Sequence, residues 1–159
     1  MAEKVNMIDE KIHFKSGSDF VDASLNYLLA EPKYKNVKFN RNWVIPSNLN
    51  FAPIDITSLF MNLLTNAFEA TVKCDNEQYV NVKINAQSDF LYISIENSYN
   101  GEVNIENNVL KSTKTNKEQH GFGTQIITDI VAKYGGKLSF ENHANKFVVE
   151  IVFDDTIYR

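Results

Sequence analysis

The chain has 159 residues, 43% of them hydrophobic and 23% charged, with a formal net charge of −4. That is ordinary globular usage for about one domain, and it excludes a disordered or fibrous chain. An acidic balance argues against a nucleic-acid footprint, and the single cysteine, Cys74, excludes a disulfide framework or a cysteine zinc cluster. No apolar run approaches the ~18 residues that span a bilayer, and the N-terminus has no signal-peptide core. These features point to a cytoplasmic protein that makes no direct membrane contact and binds no nucleic acid.

Taken in chain order, residues 1–16 are weakly patterned and read as a linker or the end of an upstream helix; a domain over 17–159 follows. Ser18 is a suitable N-cap for a helix reaching about Ala30, which Pro32 stops. Residues 37–45 alternate, with Val37, Phe39, Trp43 and Ile45 on one side. Arg41 interrupts that side, which predicts an edge strand. From Pro53, the residues Ile56, Leu59, Phe60, Leu63 and Ala67 follow a helical period, predicting an amphipathic helix to about Val72. Val80, Val82 and Ile84, then Leu91, Ile93 and Ile95, alternate on either side of Gln87-Ser88-Asp89 and predict an antiparallel hairpin. Residues 98–121 are polar without strong period and are expected to be a loop. A helix is expected from about Phe122 to Tyr134, stopped by Gly135-Gly136. A second hairpin, with Leu138 and Phe140 on one arm and Phe147, Val149, Ile151 and Phe153 on the other, closes the chain. Hairpins interleaved with helices predict an α+β two-layer sandwich. Strand pairs joined by tight turns argue against a doubly wound sheet.

Three features carry chemistry. At 100° per residue, Asp55, Asn62, Asn66 and Glu69 fall within about 60° of one another on the 53–72 helix. A solvated polar face is the plain explanation; yet Asn62 and Asn66 are poor helix formers, one turn apart, whose amide oxygens suit them as ligands or acceptors. His120-Gly121-Phe122-Gly123-Thr124 opens the next helix, where glycines and a helix N-terminus let backbone N–H groups approach an anion. An ordinary glycine hinge is the plain alternative. Lys111, Lys114 and Lys117 lie just upstream. The pattern is neither a nucleotide P-loop nor a Rossmann turn. Finally, Glu96-Asn97-Ser98-Tyr99-Asn100-Gly101 ends a buried-type strand, where a simple strand-terminating turn would also serve.

In this order and spacing the three features resemble the GHKL ATPase superfamily. Ser58 to Ala70 resembles its N-box, Ile93 to Ser98 its first adenine-binding box, and Ser112-Thr113-Lys114 with His120-Gly121-Phe122-Gly123 its ATP lid and second glycine box. The strongest similarity is to the catalytic domain of sensor histidine kinases of the peptide- or quorum-sensing type. The resemblance covers roughly residues 17–153 and implies a Bergerat-type fold: one mixed, mostly antiparallel sheet covered on one face by helices. It implies ATP and Mg²⁺ as cofactors, with Asn66 as the metal ligand. Asn62 would stand beside it as the second catalytic position, and, being an amide, could not serve as the base that hydrolysing members use. Asn97 would contact the adenine amino group. Gly101, Lys114, Gly121, Phe122, Gly123 and Thr124 would line the rest of the nucleotide site. Two positions depart from the family pattern: Tyr99 stands where the first glycine of the adenine box is usual, and Glu69 where many histidine kinases carry lysine. The implied activity is that of a histidine protein kinase. Its partners would be a dimerisation and phosphoacceptor helical domain and, downstream, a response regulator. His13, His120 and His143 lack the context of a phosphoacceptor. Rival readings are a degenerate or serine-kinase-type GHKL domain and a non-enzymatic interaction module.

Overall fold

The computed structural model describes residues 16–101, 104–106, 109–111 and 117–158. Helix α1 spans Asp19–Leu29, and Ser18 caps it as expected, its hydroxyl accepting the Val21 N–H at 3.4 Å. Val21, Leu25 and Leu28 recur at helical spacing and are the residues it buries. Strand β1 is Lys38–Asn42, shorter than the 37–45 alternation suggests. Trp43 and Ile45 nevertheless stay buried beyond its end.

Helix α2, Pro53–Thr71, begins with proline in its first turn, where a missing N–H costs nothing. It buries Ile56, Leu59, Phe60, Leu63, Leu64, Ala67 and Phe68, a stripe wider than the periodicity alone marks out. Strands β2 (Tyr79–Ala86) and β3 (Phe90–Ser98) form the expected hairpin across residues 87–89. Helix α3 is Lys117–Lys133, and β6 (Lys137–His143) and β7 (Lys146–Asp154) form the last hairpin. Before α3, β4 (Asn104–Glu106) and β5 (Val109–Lys111) pair as a separate short ribbon.

The main sheet has the order β1-β2-β3-β7-β6 and is antiparallel except for β1 with β2. It is the mixed, mostly antiparallel sheet of an α+β sandwich, and β1 is an edge strand as the sequence suggests. The β1-β2 pair is parallel, so α2 is a crossover connection; the expectation of tight turns alone is corrected here. A parallel return needs a long connection, and α2 supplies it. On the helix-facing side Val80, Val82, Ile84, Leu91, Ile93, Ile95, Ile151 and Phe153 are all buried. Phe68 of α2 has no exposed surface and packs edge-on against Tyr34, ring centroids 5.2 Å apart, with Phe39 of β1 at 5.5 Å.

Two expectations for residues 98–121 are corrected. Part of the stretch is the β4-β5 ribbon, whose sequence contains Ile105, Val109 and Leu110. Helix α3 also begins at Lys117 rather than Phe122, so Gly121 and Gly123 lie inside it. Among the described residues, no helix is long and apolar enough to cross a membrane.

Candidate functional site

The polar stripe of α2 divides into different tasks. At its first turn Asp55 accepts from Lys133 Nζ and from the Tyr134 hydroxyl, both at 2.6 Å. The Tyr134 hydroxyl in turn accepts the Ala52 N–H at 3.0 Å, and its ring stacks on Phe51 with centroids 4.0 Å apart. The ammonium and phenol hold the Asp55 carboxyl below the usual carboxylate range, whereas burial, reinforced by Asp55, raises the Tyr134 phenol. Asp55 is therefore a clamp joining the start of α2 to the end of α3.

Two turns further on, Asn62 donates from Nδ2 to the Ser58 carbonyl at 2.7 Å, which orients the rest of its amide. Both Asn62 and Asn66 are half-buried, because α3 crosses them at Gly123. A Cβ added at Gly123 would stand 3.1 Å from Asn62 Oδ1 and 3.3 Å from Asn66 Oδ1. Two carboxamide oxygens thus converge on one small volume that only glycine leaves open. Carboxamide oxygens are hard donors suited to magnesium, which takes few protein ligands and draws the rest from phosphate and water. The described residues contain no cluster of three or more His, Cys, Asp or Glu that could hold a metal instead.

Asn97 lies at the other end of α2. It belongs to the helix-facing side of β3, in step with Ile93 and Ile95, but it is a carboxamide only 2% exposed. Its Nδ2 donates to the Ser98 carbonyl at 2.9 Å. The neighbouring helix residue is Thr71, whose hydroxyl meets that of Ser98. Asn66 precedes Thr71 by five residues, about 7.5 Å along the helix axis. Along the α2 axis, Asn66 thus stands between the Thr71 end, where Asn97 lies, and Asn62 with Gly123.

The sequence gives no sign of the aromatic row beside Asn97. Phe147 is the cross-strand partner of Asn97; its ring lies 5.9 Å from Tyr99 and stacks with Phe140 at 6.1 Å. Phe140 and Phe147 read as ordinary core positions from alternation. Tyr99, a departure from the family pattern, packs over Phe147 at the place a glycine would leave bare. Gly101 follows at close range, where a Cβ would come within 3.0 Å of the Tyr99 hydroxyl.

Gly121 and Gly123 do not form a glycine loop ahead of a helix. The helix start, whose first N–H groups have no partner within the helix, lies at Lys117–His120 instead. Thr124 is half-buried in α3, and its carbonyl accepts from the Thr128 hydroxyl at 2.9 Å. Lys114 and the Phe122 side chain lie outside the described residues, as do residues 1–15 with His13.

The model of the GHKL domain matches residues 51–154, more than half of the chain. The chain belongs to the GHKL domain family. The match begins just before α2 and ends with β7, so it encloses Asn62, Asn66, Asn97 and Gly123. No curated protein matches the sequence of this GHKL domain. Among solved structures, the nucleotide-free catalytic domain of histidine kinase ThkA superposes with a TM-score of 0.65 at 20% identity, covering 88% of this chain and 93% of that one. Histidine kinase AdeS of Acinetobacter baumannii gives 0.57 at 14% identity, covering 83% and 63%. The histidine kinase domain of the Erythrobacter litoralis EL346 blue-light activated kinase gives 0.56 at 15%, covering 86% and 58%. The GHKL domain therefore has the fold of histidine-kinase catalytic domains.

Proposed function

We propose that this GHKL domain binds Mg-ATP along α2 and transfers the γ-phosphate to a histidine on a separate helical dimerisation domain. The observation that carries the reading is the convergence of the Asn62 and Asn66 oxygens at Gly123, with the buried amide of Asn97 nearer the opposite end of α2. Asn97 would accept from the adenine amino group, while Tyr99 and Phe147 offer ring surface for the base. Asn66, with Asn62 beside it, would hold Mg²⁺, which neutralises charge on the phosphates as they transfer. Gly121 and Gly123, with Lys114, are proposed to close over the phosphates, and Gly101, Phe122 and Thr124 to line the rest of the nucleotide site. For the glycine amides to do so, the first turns of α3 must unwind. Each glycine in a helix interior weakens it by ~1 kcal/mol, which makes that opening inexpensive.

Neither Asn62 nor Asn66 can take a proton from water, so the site favours transfer to a positioned acceptor over hydrolysis. In this reading residues 1–16 link to the dimerisation helices and 17–159 form the domain. The parent protein is a cytoplasmic-facing kinase of the peptide- or quorum-sensing type, with a response regulator downstream. Radiolabelled ATP tests it. The chain alone should acquire no acid-labile label and hydrolyse ATP slowly, whereas a supplied dimerisation hairpin of its own kinase should become labelled. That labelling should be slow, because untethering removes the effective concentration of an intramolecular acceptor. Label on His120 or His143 would refute the assignment. Clear ATP binding with no labelling of any hairpin would instead indicate a degenerate domain.

A further inference from the structure

Three segments meet on two hydroxyl groups next to Asn97. Thr71 closes α2 and Ser98 closes β3, and their side-chain oxygens are hydrogen-bonded to each other. The backbone N–H of Tyr79, the first residue of β2, donates to both, at 3.1 Å to Thr71 Oγ1 and 3.2 Å to Ser98 Oγ. Thr71 has no exposed surface and Ser98 is 5% exposed. A buried hydroxyl is retained only where it is fully partnered, and here the pair replaces ladder bonds at a point where two strands and a helix end together.

Asn97 is tied to this node. Its Nδ2 donates to the carbonyl of Ser98, the residue whose hydroxyl Thr71 holds. With the NH₂ end of the amide engaged there, Oδ1 is the end left to accept from a ligand. A carboxamide turned over would present a donor instead. Adenine offers an exocyclic amino group and guanine a carbonyl oxygen at the corresponding ring position, so the two orientations of Asn97 favour different bases. We propose that Thr71 and Ser98 are positioning residues that fix the Asn97 amide and thereby set the preference of the site for adenine over guanine nucleotides. This rests on the reading of Asn97 as the base contact.

The test is calorimetric titration of the whole chain with Mg-ATP and Mg-GTP. Thr71→Val keeps the side-chain shape and removes the hydroxyl, and should lower the ratio of ATP to GTP affinity about tenfold, the scale of one hydrogen bond. Thr71→Ser should restore the ratio. A folded Thr71→Val protein with an unchanged ratio, including one that loses both nucleotides equally, would overturn the proposal. If Thr71→Val fails to fold, Ser98→Ala carries the same expectation and the same refutation, because Thr71 Oγ1 still receives the Tyr79 N–H there. Asn97→Ala separates the two levels. Unchanged ATP affinity in that variant would remove the base contact itself, and the proposal with it. Lost affinity beside an unchanged Thr71→Val ratio would overturn the positioning role alone.

Discussion

Asn66 and Gly123 show how much can depend on one missing methyl group. Replacing Asn66 by alanine removes an oxygen that points at α3 but disturbs none of the buried stripe of α2. The expected outcome is an intact fold with Mg-dependent ATP affinity reduced roughly 10–100-fold, the scale of one or two bonds to a charged group. Calorimetry with and without magnesium checks it, and equal affinities for the two proteins would contradict the assignment. Gly123→Ala sets two effects against each other. Alanine raises helix propensity by ~1 kcal/mol, while its Cβ would press within 3.1 Å of Asn62 Oδ1. Because that contact must ease by only a few tenths of an ångström, thermal stability should stay within about 1 kcal/mol of the parent. Mg-ATP affinity should fall, since the new methyl occupies the space on which both amide oxygens converge. A denaturation midpoint alongside a titration measures both; an unchanged affinity would show that this space is not used.

The elements were legible from sequence in proportion to how strongly packing imposes a period. For α2, Ile56, Leu59, Phe60, Leu63 and Ala67 face the sheet, and its limits fall within a residue of those expected. Both hairpins were equally plain, since one covered face imposes alternation. The start of α3 was not, because Gly121 and Gly123 signal a break that tertiary contact with α2 overrides. The parallel β1-β2 pairing was also hidden: no local pattern distinguishes a strand that returns beside its neighbour from one that turns back. Within the candidate site, Asn62 and Asn66 stand out in the sequence as poor helix formers on a helix, and Asn97 only through the family resemblance. The Tyr99-Phe147-Phe140 row does not, because aromatic residues on a sheet face look like core. The helical period only groups Asp55 with the polar stripe; its partners lie far along the chain at Lys133 and Tyr134. That clamp makes a pH prediction. The folded Asp55 carboxyl lies below its ordinary value. Its contribution to stability is therefore present above the unfolded carboxylate pKa and is lost as pH falls through the lower folded one. Asp55→Asn should flatten the acid limb of the stability–pH curve and leave behaviour around neutrality parallel to the parent. Urea midpoints between pH 3 and 7 would show it, and identical acid limbs would remove the clamp from the account. At the far end of α3, Gly136→Ala would drive a Cβ to 2.5 Å from the Phe153 ring and 2.9 Å from Val131 Cγ1. Overpacking of that kind should cost about 1–3 kcal/mol, measurable as a lower denaturant midpoint with an unchanged slope.

At the scale of the whole molecule, one apolar layer joins α1, α2 and α3 to the sheet, and Phe68 packs within it between Tyr34 and Phe39. Phe68→Ala should lower stability by about 3–5 kcal/mol and shift a single cooperative transition seen alike by far-ultraviolet and tryptophan signals, since Trp43 packs in the same layer. Two separated transitions would mean that the layer is not one cooperative unit. The strand order also has a consequence in time. The middle of the sheet is β3 with β7, where Phe90 meets Asp154 and Ser98 meets Lys146. These partners are far apart in the chain, and the β4-β5 ribbon, α3 and β6 are made between them. Local hairpins can close early, but the sheet cannot be completed until its two central strands find each other across that span. Chains dominated by such distant pairings fold in milliseconds to seconds rather than microseconds. During that interval the edge of β3 stands open, and a newly made chain is most exposed to pairing with a neighbour at the strand that ends in Asn97.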